Sequence, residues 1–293
     1  MFDLPLPEMA LFILVVVICF AASVVGILQL LRQCEKLRRS LLALVSLAIT
    51  LEAVILIFRA IAIKAVPLTG LFESMIVLSI VFGLTYLFLS IAIHKVWFSS
   101  VMAWVMLLLV LMAGIVAEPA SQAHAAASTP WAIAHAIAMI LGGSSAMLAT
   151  ASAVLYLFAE RKLKQKNLLH VLGKVPNIEK LEHMNLLGLK SCFILMTFGL
   201  ASGIGLAATS ASLNMTAIDW LTDSKIILIT IVWLLLGTIM VLLKTAKLKK
   251  KMIAHVTLVA FALILFAVVG TSVFCGTGHN FAASDLEASE QTK

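Results

Sequence analysis

The chain has 293 residues, 62% of them hydrophobic and 12% charged, with a mean hydropathy of +1.13 and a formal net charge of +7. That balance excludes a water-soluble globule and belongs to a polytopic membrane protein. The basic residues cluster in connectors, so the positive charge reads as membrane topology and contact with anionic headgroups, not as nucleic-acid binding.

A helix needs about 20 apolar residues to cross the roughly 30 Å hydrocarbon layer. Eight such runs follow one another: Met9 to Leu31, Ser40 to Ile63, Phe72 to Ile93, Val96 to Ala117, Trp131 to Phe158, Leu186 to Ala208, Lys225 to Leu243 and Met252 to Cys275. Backbone groups in lipid must be satisfied within the segment, so the expected fold is all-α: one membrane domain over residues 1–293, a bundle of eight transmembrane helices. Met1 to Glu8 contains acidic residues but no Lys or Arg. The first run therefore reads as a retained span, not a cleavable signal.

Lys and Arg mark the cytoplasmic side. Arg32, Lys36, Arg38 and Arg39 follow span one, and Lys95 follows span three. Arg161 to Lys180 follows span five, and Lys244 to Lys251 follows span seven. The basic connectors thus lie behind the odd-numbered spans, so both termini are expected outside, on the periplasmic face of a bacterial cytoplasmic (inner) membrane.

Along the chain, span two carries Glu52 and Arg59, seven residues apart and so on one helical face. Intramembrane charges normally face the protein interior or a polar cavity. The pair reads as structural, as an arginine snorkelling to the outer headgroups, or as an arginine that meets an anionic group of a ligand. Pro67 then breaks the chain, with Thr69 as a candidate cap and Glu73 at the start of span three, where the helix dipole favours a carboxylate. Glu118 to Pro130 reads as an outer loop containing His124. The longest interruption, Ala159 to Asn185, is basic; Leu168, Leu169 and Leu172 suit a short helix on the cytoplasmic headgroups, before Pro176. His94, His170, His183 and His255 are interfacial on the inner side.

Cys19, Cys34, Cys192 and Cys275 are scattered, with no C-x-x-C spacing. Cys19 and Cys192 are expected to act as small buried hydrophobes. Cys275 lies outside, near His279.

The outer face collects the most chemistry. His135 follows Pro130 and Trp131 at the outer end of span five, and His279 follows span eight. Between them in sequence, the outer connector Ser210 to Asp223 holds Asn214, Asp219, Trp220 and Asp223, and Lys225 opens span seven. Two neutral imidazoles at one face suit the axial positions of a haem iron, with an indole over the porphyrin edge and Arg59 or Lys225 on the propionates. From topology alone, interfacial histidines and belt tryptophans are the competing reading.

Arg59 to Ser74, R-A-I-A-I-K-A-V-P-L-T-G-L-F-E-S, resembles the R-W-x-x-x-G-H-x-P-L-x-N-x-Y-E-S element of the cytochrome c assembly family, the haem-handling membrane proteins of the CcsA/ResC type and their HemX-like relatives. Further stretches fit in order. Trp131 to His135 is similar to the family's W-x-x-x-H, followed by Tyr156 to Lys164. The run from Asn177 to Gly203 is similar to its L-x-x-L and T-x-G-x-x-x-G elements. Asp223 to Trp233 resembles D-P-K with a following Trp, and Gly276 to Phe281 resembles G-L-H-S-Y. The resemblance covers residues 59–281 and rests on the order and spacing of these motifs.

The resemblance implies a haem-binding protein of c-type cytochrome biogenesis that ligates one b-type haem at the outer face through His135 and His279. Trp220 would pack on the porphyrin and Asp223 would orient the loop. The chain departs from the family pattern in two places. Thr216, Trp220, Thr222 and Asp223 occupy a loop that in full members is W-G-x-x-W-x-W-D, and Ala65 and Val241 occupy the positions of two intramembrane histidines. A ResB-like membrane partner or thioredoxin-like protein and an apocytochrome c are the implied partners, and no enzyme activity of the chain's own is expected. Two other readings stand beside this one. The first is a HemX-like, non-enzymatic regulator or scaffold linked to haem biosynthesis, using Arg161 to Lys180 on a cytoplasmic partner. The second is a small-solute transporter lined by Glu52 and Arg59, disfavoured by the lack of an internal repeat.

Overall fold

A computed structural model of the chain describes residues 4–32, 35–63, 67, 70–92, 96–117, 129–164, 178–209, 222–245 and 249–271. The described residues form eight α-helices: α1 (Leu6–Arg32), α2 (Glu35–Ile63), α3 (Leu71–Ala92), α4 (Val96–Ile115), α5 (Pro130–Lys164), α6 (Ile178–Thr209), α7 (Ser224–Thr245) and α8 (Lys250–Leu265). A π-helical turn, Phe266–Gly270, continues α8. Seven helices carry a stretch long and apolar enough to cross a membrane; the described apolar stretch of α4, Ser99–Ile115, is shorter.

Two groups of helices share the bundle. In the first, α1 packs on α2 and α4, and α3 packs on α2 and α4. In the second, α5 and α6 form the most extensive pair, α8 lies against α5, and α7 rests on α6 and α8. Contacts of α3 and α4 with α5 join the groups.

In lipid the driving force between helices is close packing and interhelical hydrogen bonding, so small residues mark the seams. On the α1/α4 seam, a Cβ on Gly26 would lie 3.1 Å from the Ser100 backbone. Ser100 Oγ donates to the Gly26 carbonyl at 2.6 Å, and Ser23 Oγ donates to the Ala103 carbonyl at 3.2 Å. On the α5/α6 seam, a Cβ on Gly188 would meet the Ala149 nitrogen and the Ser145 carbonyl at 2.9 Å. Cys19 and Cys192 are buried free thiols in these cores, as their scatter suggests.

The stretch between spans five and six differs from the sequence expectation. Residues 159–164 continue α5, and residues 178–185 already belong to α6. With 35 and 32 residues, these helices run about 52 and 48 Å at 1.5 Å per residue, well beyond the hydrocarbon thickness. Hydropathy marks where lipid ends, not where a helix ends. The extensions are rich in Glu, Lys, Arg, Leu and Met, all good helix formers. A Glu160–Lys164 ion pair at 2.7 Å supports one, and a Glu182–Lys250 pair at 2.6 Å ties the other to α8.

The proposed surface helix around Leu168 and Leu172, Pro176, the Thr69 cap, Cys34, Cys275, His94, His124, His170, Asn214 and Asp219 lie outside the described residues. His183 and His255 are exposed near the starts of α6 and α8.

Candidate functional site

Pro130 opens α5 behind Thr129, whose Oγ1 accepts the Ala132 N–H at 3.3 Å, so the first turn sets the position of Trp131 and His135. His135 is partly buried against α6. Its Nδ1 lies 2.7 Å from the Gly199 carbonyl oxygen. A carbonyl only accepts, so Nδ1 carries the proton, and a neutral ring in this tautomer has its lone pair on Nε2. Histidines that ligate metals are commonly oriented in this way, through a carbonyl on the other ring nitrogen.

The T-F-G-L-A-S-G run supplies the surface on which that ring rests. A Cβ on Gly203 would lie 3.1 Å from His135 Nδ1, one on Gly199 would meet Met139 Sδ at 2.6 Å, and one on Gly205 would strike the Trp131 indole at 2.8 Å. A side chain at any of these positions would make its neighbour shift. Thr197, at the head of the run, accepts Trp233 Nε1–H at 2.9 Å, and Phe193 stacks on Trp233 with ring centroids 5.8 Å apart. These contacts fix α7 on α6. They also give a physical role to residues that the sequence marked only through motif resemblance.

Asp223 caps α7, its Oδ1 accepting the Lys225 N–H at 2.8 Å and its carbonyl accepting the Ile227 N–H at 3.0 Å. Lys225 is half-buried and lies within electrostatic reach of both Asp223 and His135. The start of α5, the last turns of α6 and the start of α7 therefore meet around His135, with an acidic cap and a cation beside it. Trp220, His279, Thr216 and Ala65 lie outside the described residues.

Arg59 lies elsewhere, in the first group of helices. It is fully buried; its Nε donates to Glu8 Oε2 at 3.1 Å, its Nη1 donates to Glu73 Oε1, and its Cζ stands 4.4 Å from the Phe72 ring centroid. Two carboxylates of the chain itself, from α1 and α3, meet its charge. Glu52 does not pair with it but accepts a 2.8 Å hydrogen bond from Ser79 Oγ. The two charges share a face, as their spacing requires, yet each is matched by a different turn of α3.

Val241 is exposed and, with Trp233, Leu234, Gly237, Thr238 and Leu242, lines an apolar groove of about 310 Å3 on α7. Nothing in that lining offers a metal ligand.

A family model described as "Cytochrome C assembly protein" matches residues 68–277. The match takes in α3 to α8, with His135, Trp220 and Asp223, and leaves α1 and α2 outside it. Neither a curated protein nor a solved structure matches the chain.

Proposed function

This chain belongs to the cytochrome c assembly protein family, and from that premise we propose that it handles haem at the outer face of a bacterial inner membrane, through His135 and His279. Family membership supports a role in the biogenesis of c-type cytochromes, carried out by a multi-pass membrane protein. In the finer reading, all eight helices cross the bilayer and both termini lie outside. His135 and His279 would hold the haem iron, Trp220 would pack against the macrocycle, and Asp223 would hold the loop by capping α7. Lys225, placed beside His135, takes a propionate; Arg59 is committed to Glu8 and Glu73. Bound haem would supply the chemistry for attachment to an apocytochrome brought by a ResB-like or thioredoxin-like partner, and this chain's residues would bind and orient it.

The observation that carries this reading is the Nδ1–H to Gly199 carbonyl bond, which fixes the ring tautomer that a haem ligand needs. Absorption spectroscopy of purified, haem-supplied protein tests it. A Soret band is expected in the wild type and is lost in the double variant His135→Ala/His279→Ala. Identical spectra from both proteins overturn the reading.

The length of α5 and α6, greater than a hydrocarbon crossing needs, favours a second reading, a HemX-like scaffold that holds a cytoplasmic partner. Under it, replacing the lysines between Arg161 and Lys180 impairs function more than replacing His135. The reverse ranking selects haem ligation.

A further inference from the structure

The inner ends of α1 to α4 hold a polar layer that haem handling at the outer face does not use. The core shared by these helices runs inward along Ala22 on α1, Leu41 and Val45 on α2, Phe82 and Tyr86 on α3, and Met102 and Met106 on α4. Continued toward the basic connectors, each stripe turns polar. Gln29 lies seven residues after Ala22, Arg38 three before Leu41, Ser90 four after Tyr86 and Ser99 three before Met102. These are helical spacings that keep each residue on its stripe.

Contacts between neighbouring helices place these residues in one layer. Ser100 Oγ to the Gly26 carbonyl brings α4 to α1 one turn from Gln29. Arg38 Nη2 donates to the Ser90 carbonyl at 2.5 Å, joining α2 to α3. Tyr86 lies beside Ser99 and within electrostatic reach of Arg38, joining α3 to α4 and α2. Gln29 is 0% exposed and Ser99 1%. Among the described residues, neither amide atom of Gln29 nor Arg38 Nε has a hydrogen-bond partner, while Ser99 Oγ faces the Tyr86 hydroxyl. Buried polar groups are nearly always partnered, so three such atoms in one layer call for a ligand.

The character of the layer is that of a donor set. Arg38 is cationic, and it makes no ion pair with a carboxylate among the described residues. Arg38 and Ser99 are each the fourth residue of a long helix, so the unbonded first-turn N–H groups of α2 and α4 share this end of the bundle. Arg38 is only half-buried, which opens the layer to the inner surface beside the exposed Arg32 and Arg39. A tetrahedral oxyanion matches such donors, and basic pockets between helices at this depth suit phospholipid headgroups.

We propose that Arg38, Gln29 and Ser99, with Tyr86 beside them, form a phosphate-binding site at the inner face, filled by the phosphodiester of an anionic phospholipid or by soluble phosphate. Gln29 and Arg38, the residues with the unpartnered atoms, come from α1 and α2, the two helices outside the family match.

Native mass spectrometry and thermal unfolding of the purified full chain in detergent test the site, with phosphatidylglycerol, phosphatidylcholine and inorganic phosphate as separate probes. Wild-type protein retains phosphatidylglycerol and unfolds at a higher temperature with it, whereas phosphatidylcholine has no such effect. Gln29→Leu and Arg38→Gln each weaken retention by about tenfold or more. Arg38→Lys, which keeps the charge but not the planar fork, falls between. Inorganic phosphate that raises the unfolding temperature and displaces the lipid identifies a soluble ligand; phosphate without effect identifies the lipid. The proposal is overturned if neither probe affects the wild type, or if Gln29→Leu and Arg38→Gln bind phosphatidylglycerol as tightly as the wild type.

Discussion

Individual residues in this protein carry loads out of proportion to their number. Arg59 is the clearest case, a guanidinium sealed in the bundle between two carboxylates. Removing one member of a buried ionic group leaves uncompensated charge, whereas removing the whole group can be close to neutral. Arg59→Met is therefore expected to cost about 3–5 kcal/mol of stability, and the triple variant Glu8→Gln/Arg59→Met/Glu73→Gln to recover most of it. Thermal unfolding in detergent distinguishes the two; equal losses would mean that the charges are not coupled. At the outer site, Gly203 leaves room for the His135 ring, while Gly142 faces only ordinary contacts at 3.5 Å and beyond. Gly203→Val should cost about 1–3 kcal/mol and weaken the Soret band, with Gly142→Ala close to wild type in both. A Soret band unchanged by Gly203→Val would separate the ring's position from haem ligation.

Between elements, the tightest seam is that of α5 and α6, where Gly188 admits the Ala149 backbone and Gly199 admits Met139. Because a side chain at position 188 would strike backbone, Gly188→Ala is expected to separate the pair at its inner half and lower the unfolding temperature more than Gly203→Ala does. The α6/α7 contact is lighter, a Trp233 indole bonded to Thr197 and stacked on Phe193. Trp233→Phe keeps the stacking and loses the hydrogen bond, which is expected to cost about 1 kcal/mol. If Trp233→Phe instead destabilises as much as Gly188→Ala, the tie between α6 and α7 is the stronger one. The sequence marked these helices by hydropathy and the glycine run by its spacing, but gave no reason for that run. The reason lies in which neighbour each glycine meets, a matter of helix rotation that apolar composition leaves open.

At the scale of the whole molecule, charge distribution and helix length make a joint statement about orientation. Cysteines introduced at Lys164 and at Lys250 should react with a membrane-impermeant maleimide only in inside-out vesicles, and one at Thr129 only in intact cells. Labelling of positions 164 and 129 from the same side would refute the topology on which the outer-face site depends. The long α5 and α6 also predict that reactivity at position 164 resembles that of an aqueous residue, since a 35-residue helix is longer than a hydrocarbon crossing needs.

What the sequence determined alone was set by the solvent. A bilayer demands about 20 apolar residues with internally satisfied backbone and sorts basic connectors to one side, so the helices, their order and their expected polarity could be read from composition and charge. His135 and Asp223 were legible as neighbours because the spacing of the apolar runs brings the start of span five and the start of span seven to the same end of the bundle. Only the tertiary structure decided that Arg59 answers to Glu8 and Glu73 while Glu52 answers to Ser79, that α5 and α6 continue past the membrane, and that the Gly199 carbonyl fixes the His135 tautomer. Each depends on which turn of which helix packs opposite, and close packing between helices, not the affinity of any one segment for lipid, settles that.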